Sequence, residues 1–104
     1  MARFDVYANP EASERKHTPY FVDLQNDYID QINTRVVAPL RTEKAFGPRP
    51  KDLNPLLGFG GNALVLDTAA LGAVPNSELR KAVGTLRDAR AQIQQALDTL
   101  FGAY

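Results

Sequence analysis

PYFVDLQNDYIDQINTRVVAPL, residues Pro19 to Leu40, reads as strand, polar break, strand. In the first run Tyr20, Val22 and Leu24 fall on one face, with Phe21, Asp23 and Gln25 on the other. In the second, Val36, Ala38 and Leu40 alternate with Arg35, Val37 and Pro39. Period-two alternation of aromatic and β-branched residues marks half-buried strands. The break, NDYIDQIN, sets Tyr28, Ile29 and Ile32 among Asn, Asp and Gln. Apolar side chains on a loop cost solvation free energy unless they dock. They either tuck into the core or wait for a partner.

Phe4 to Ala8 alternates in the same way and predicts a first strand, ended by Asn9-Pro10. Glu11 to Thr18, EASERKHT, is polar and without period, which predicts an exposed loop. The second strand spans Pro19 to Gln25 and the third about Asn33 to Leu40, where Pro39 suggests an edge or a strand end. Arg41 to Asp52 carries Gly47-Pro48 and Arg49-Pro50, so it reads as a surface excursion with a short strand or turn near Glu43 to Phe46. Leu53 to Phe59 and Ala63 to Thr68 form a hairpin about Gly60-Gly61-Asn62, where positive φ is needed. Ala69 to Val74 bridges to the tail with Leu71 and Val74 buried. Asn76 or Ser77 resembles a helix cap, but Gly84 would weaken a helix running through it by about 1 kcal/mol. From Arg87 to Phe101 the pattern is clear. Leu86, Ala89, Ile93, Leu97 and Leu100 make one apolar stripe, and Gly102 supplies a left-handed stop.

The 104 residues suit one domain with a modest core. Lys and Arg number 12, as do Asp and Glu, so the net charge is zero. Neutrality argues against a surface built mainly for phosphates and against sequence-specific nucleic-acid binding. The absence of cysteine removes disulfides, thiolate chemistry and Cys-based zinc sites. No apolar run approaches the roughly 20 residues of a membrane span, and the first residues lack a signal peptide's apolar core. A cytoplasmic protein without membrane contact is expected.

Little in the chain points to covalent chemistry. His17, the sole histidine, has no partner in the sequence and reads as a solvated loop residue. Gly58-Phe59-Gly60-Gly61 lies between strands, not before a helix, so it is a turn and not a phosphate cradle. Asp23, Asp27 and Asp30 lack the glycine and terminal Glu of a calcium loop and read as surface acids or turn caps. Arg35 beside a strand reads as an exposed cross-strand partner. No cofactor, metal or catalytic residue is expected.

Several ordered segments resemble the CcdB family of bacterial toxins, poisons of DNA gyrase. They are Phe4-Asp5-Val6-Tyr7, Tyr20 to Gln25, Asp27 to Asp30, Arg35 to Leu40, Val74-Pro75 and the tail from Leu86 to Tyr104. The resemblance implies a mostly β chain with a C-terminal helix, an SH3-like small barrel of the CcdB/MazF type. It places a short extended piece before a helix starting near Arg87. It implies a homodimer whose target is the DNA gyrase A-subunit. It also implies a CcdA-like antitoxin whose disordered segment folds along the toxin. The poison traps gyrase on cleaved DNA without covalent chemistry of its own, so no enzyme is expected. Carried over by position, the gyrase-binding residues are Tyr28, Ile29, Asp98, Phe101, Gly102, Ala103 and Tyr104. Well-known members carry Trp, Gly and Ile at the last three positions, and this chain departs at all of them. The same fold serves MazF-type endoribonucleases, which makes RNA cleavage through Arg35, Arg41 and Thr42 one alternative. A CcdB-like chain that no longer poisons gyrase is the other.

Overall fold

A computed structural model describes residues 1–102, so the expected roles of Ala103 and Tyr104 lie outside the described residues. Within them the chain makes strands β1 (Asp5–Ala8), β2 (Tyr20–Asp23) and β3 (Thr34–Thr42), then a short helix α1 (Glu43–Phe46). Strands β4 (Leu56–Phe59), β5 (Asn62–Leu66), β6 (Gly72–Pro75) and β7 (Gly84–Thr85) follow, and helix α2 (Arg90–Phe101) ends the order. The strands form one antiparallel sheet in the order β4-β5-β3-β2-β1-β7, with β6 also paired to β3. The result is a mostly β half-barrel with a helix packed on it, as expected for a small toxin fold of this type.

β3 is the spine. One edge pairs β2 from Val37 to Leu40. The other pairs β6 from Thr34 to Val37 and then β5 from Leu40 to Thr42. Pro39 is therefore not at a sheet edge, contrary to expectation; it sits inside the central strand. Its missing N–H falls where β3 exchanges one neighbour for the other, and its carbonyl accepts the Asp67 amide at 3.0 Å. A proline is tolerated at such a gap because no ladder bond is lost there. The exchange of neighbours splits the sheet and bends it.

The β4–β5 hairpin turns through Gly60 and Gly61, with φ of 61° and 81° and Phe59 opposite Asn62. Both signs match a two-residue turn that only glycine or asparagine adopts cheaply. Glu43 to Phe46 is helical and not a strand, because the Thr42 hydroxyl caps it by accepting the Ala45 amide at 3.2 Å. The polar loop before β2 has less freedom than its composition suggests. Asn9 is buried, donates to the Thr18 carbonyl at 2.9 Å and accepts the Glu11 amide at 2.9 Å.

Alternation along β2 and β3 puts Val22, Leu24, Ala38 and Leu40 on the helix side, in one core with Leu57, Leu66, Ile93 and Ala96. Each such fully buried Leu or Ile stabilises the fold by about 2 kcal/mol. α2 seats Ile93 and Ala96 at the centre of that core. Small Ala96 lies deeper than Leu97 and Leu100, which stay half-buried. The helix begins at Arg90 after a 3-10 turn at Arg87–Ala89 and stops at Gly102, left-handed at φ 72°.

The opposite face holds a smaller core of Tyr7, Val37 and Leu79, with Phe21, Val74 and Ala82 against it. Asp23 and Arg35 belong to this side and, contrary to expectation, are buried. Asp23 is no surface acid and Arg35 no exposed partner: they are 0% and 2% exposed. Arg35 Nε donates to Asp23 Oδ2 at 2.8 Å and Nη2 donates to Oδ1 at 2.9 Å. Burial pushes the Asp23 carboxyl up from its ordinary value, against the lowering pull of the Gln25 amide and the guanidinium. Burial likewise raises the Tyr7 phenol, helped by the carboxylates of Asp5 and Asp23. Asp23, Asp27 and Asp30 do not converge on a common point among the described residues.

A buried pair costs most when only one partner is removed. Arg35→Met alone is expected to lower stability by about 3–5 kcal/mol in urea unfolding. Asp23→Leu combined with Arg35→Met should be less destabilised than Arg35→Met alone. Losses that simply add would show that the two side chains are not a coupled buried pair.

Candidate functional site

An apolar groove lies between the Asn26–Ile32 loop and α2. Its volume is about 400 Å³, and it is lined by Leu24, Ile29, Ile32, Leu71, Leu97 and Phe101 among others. Phe101 is 69% exposed and Tyr28 94% exposed, with Ile29 and Ile32 near half. The alternation that buries Leu24 under the helix ends there. The next residues leave the ladder and carry their apolar side chains outward. α2 supplies the facing wall, since Leu97 and Phe101 follow Ile93 at helical steps.

Of the residues expected to contact a target, Ile29 and Phe101 meet in this groove. Tyr28 stands beside it on the loop. Asp98 is one turn back on α2, where its carboxylate accepts Gln94 Nε2 at 3.0 Å. Gly102 closes the helix, its amide donating to the Asp98 carbonyl at 2.9 Å. Leu71 and Arg3 were not foreseen. Arg3 donates its amide to Asp27 Oδ1 at 2.5 Å and its guanidinium Nη2 to Gln94 Oε1 at 3.1 Å. One residue thus ties the loop to the helix. Within the loop, Asn26 accepts the Tyr28 amide on its side chain at 2.9 Å and the Ile29 amide on its carbonyl at 3.0 Å.

A second, polar cluster lies at the far end of β3. Arg41 Nε donates to Asp67 Oδ2 at 2.7 Å, and Nη1 donates to Thr18 Oγ1 at 2.6 Å. Thr18 Oγ1 lies 2.9 Å from His17 Nδ1. His17 therefore has neighbours that its sequence context does not reveal, because Arg41 reaches Thr18 from 23 positions away. Lys16, His17 and Lys44 border a shallow hollow there. Of the residues named for phosphate chemistry, Arg35 is locked inside, Thr42 is engaged as a helix cap, and Arg41 is partly exposed and paired with Asp67. No helix among the described residues is long and apolar enough to cross a membrane.

A solved structure described as an endoribonuclease from a mycobacterial species superposes with a TM-score of 0.72. The match covers 98% of this chain and 91% of that one at 16% identity, so the likeness is one of fold. It overturns the expectation that no enzyme is to be sought here, since a protein of the same architecture is an endoribonuclease. The family model of the CcdB protein matches residues 3–102, nearly the whole length over which the ordered segments, the half-barrel and the terminal helix were traced. The chain belongs to the CcdB family, the toxins of toxin–antitoxin pairs.

Proposed function

We propose that this toxin binds the DNA gyrase A-subunit and traps the complex on cleaved DNA, in the cytoplasm, until a CcdA-like antitoxin neutralises it. The observation that carries the reading is the groove between Ile29 and Phe101, with Tyr28 beside it. Interfaces favour exposed aromatic anchors with apolar surroundings, and contiguous apolar surface of this kind marks a contact site. Pairing of two copies is part of the proposal. A symmetric homodimer presents Tyr28, Ile29, Asp98 and Phe101 twice, which suits a two-fold target. Trapping follows if the toxin prefers the cleaved state of the enzyme over the others.

Gly102 stands where well-known relatives place a tryptophan. An aromatic hot spot is worth about 2 kcal/mol or more, and 1.4 kcal/mol is tenfold in affinity. Tyr28 and Phe101 are the exposed rings on this face that can supply such anchoring. Tyr28→Ala or Phe101→Ala is expected to weaken binding to purified gyrase by roughly thirtyfold in calorimetry. Expression of the unaltered chain should arrest a gyrase-sensitive host and spare one with resistant gyrase. Equal arrest of both hosts would remove gyrase as the target.

A second reading, RNA cleavage, is favoured by the His17–Thr18–Arg41 cluster together with the endoribonuclease fold relative. A histidine can move a proton and an arginine can balance charge on a phosphate. Incubation with RNA would then give fragments, and His17→Ala should slow their formation by about a hundredfold or more. Intact RNA at high protein concentration would dismiss this reading.

A further inference from the structure

The Asn26–Ile32 loop bears the most exposed aromatic of the described residues, yet its backbone is held from beneath by the buried ion pair. Arg35 directs two N–H donors to Asp23 and two more to the loop. Nη2 donates to the Gln25 carbonyl at 3.3 Å and Nη1 donates to the Ile29 carbonyl at 3.4 Å. Gln25 completes the link. Its Nε2 donates to the same Ile29 carbonyl at 2.7 Å, and its Oε1 accepts the Val36 amide at 3.0 Å. The Asp23 carboxylate also takes the Gln25 amide at 2.9 Å, which fixes where the loop departs from β2.

We infer that Gln25 and Arg35 are positioning residues for target binding: they preset the Tyr28–Ile29 segment by clamping the Ile29 carbonyl to the sheet. The inference rests on the gyrase reading for its consequence, but the clamp itself is a property of the free protein. Arg35 does not line the groove and acts through the loop it holds. Gln25 also forms part of the groove wall, so for Gln25 loop exchange, and not affinity, isolates the clamp. A loop already held in its bound shape loses less freedom on association and so binds more tightly. The planar fork matters here. Lysine would answer the Asp23 charge but could not also span both carbonyls. Gln25→Glu alters the clamp with almost no change of shape. While ionised, the new carboxylate still accepts from Val36 but cannot donate to Ile29, so the variant is read at alkaline pH.

The test is amide hydrogen exchange on the purified full chain, read beside affinity for purified gyrase. Arg35→Lys and Gln25→Glu are expected to speed exchange at Tyr28 and Ile29 by tenfold or more, about the effect of losing one good tie. In Gln25→Glu, which leaves the Asp23–Arg35 pair in place, the core amides of Val22 and Ala38 should keep their rates, which a general loss of stability would not allow. Affinity for gyrase should fall by a similar factor. Unchanged exchange at Tyr28 and Ile29 in Gln25→Glu, with the protein folded, would overturn the clamp. Faster exchange with no gyrase binding even by the unaltered chain would leave the clamp standing and remove the gyrase reading instead. If Arg35→Lys fails to fold, Gln25→Glu decides alone.

Discussion

A guanidinium and a carboxylate, both shut away from water, are the constraint on which this fold turns. Taking two charges out of solvent costs several kcal/mol per ion, and only close geometry with further hydrogen bonds offsets it. Asp23 and Arg35 have that geometry, with two short contacts and no exposed surface to relax into. Their satisfaction requires β2 and β3 to hold one register and requires the chain after Gln25 to turn back over Arg35. The smaller core of Tyr7, Val37 and Leu79 then shields the pair on the face away from α2. The polar pair with its small core takes one side of the sheet, and the main core under α2 takes the other.

The groove is the outward expression of the same arrangement. One wall is a loop tied down by charge, and the other is a helix tied down by Ile93 and Ala96 in the main core. Arg3 spans the two, through Asp27 on one side and Gln94 on the other. Its guanidinium also lies 4.8 Å above the Phe4 ring, whose backbone is held at φ 74° between Asp23 and Leu86. A non-glycine residue in that region carries strain, and here it falls beside the link between loop and helix. The cluster of His17, Thr18 and Arg41 sits at the other end of β3, so one long strand connects two chemically distinct surfaces.

Much of this was legible in the chain itself. Alternation in Tyr20–Gln25 and Val36–Leu40 correctly assigned the two faces, because a half-buried strand must obey period two. The double glycine marked its hairpin, and the 3.6 period with Gly102 marked α2. What could not be read is long-range. Asp23 alternates like a solvent-facing residue and is buried only because Arg35 returns 12 positions later to meet it. Pro39 looks like an edge residue until the change of neighbours along β3 is known. His17 looked alone because Arg41 and Asp67 come from other elements. At the groove, Ile29 and Phe101 follow from family likeness; Leu71 reads from the sequence as buried but is only partly so and lines the groove, and Arg3 carries no local signal.

The most direct measurement is a hydrogen-exchange footprint of the unaltered protein on purified gyrase. Protection is expected over residues 24–32 and at the end of α2 from Leu97 to Gly102, with Lys16, His17 and Lys44 unaffected. Protection confined to the His17 cluster, with the groove still exchanging freely, would contradict the central claim that Ile29 and Phe101 form the working surface.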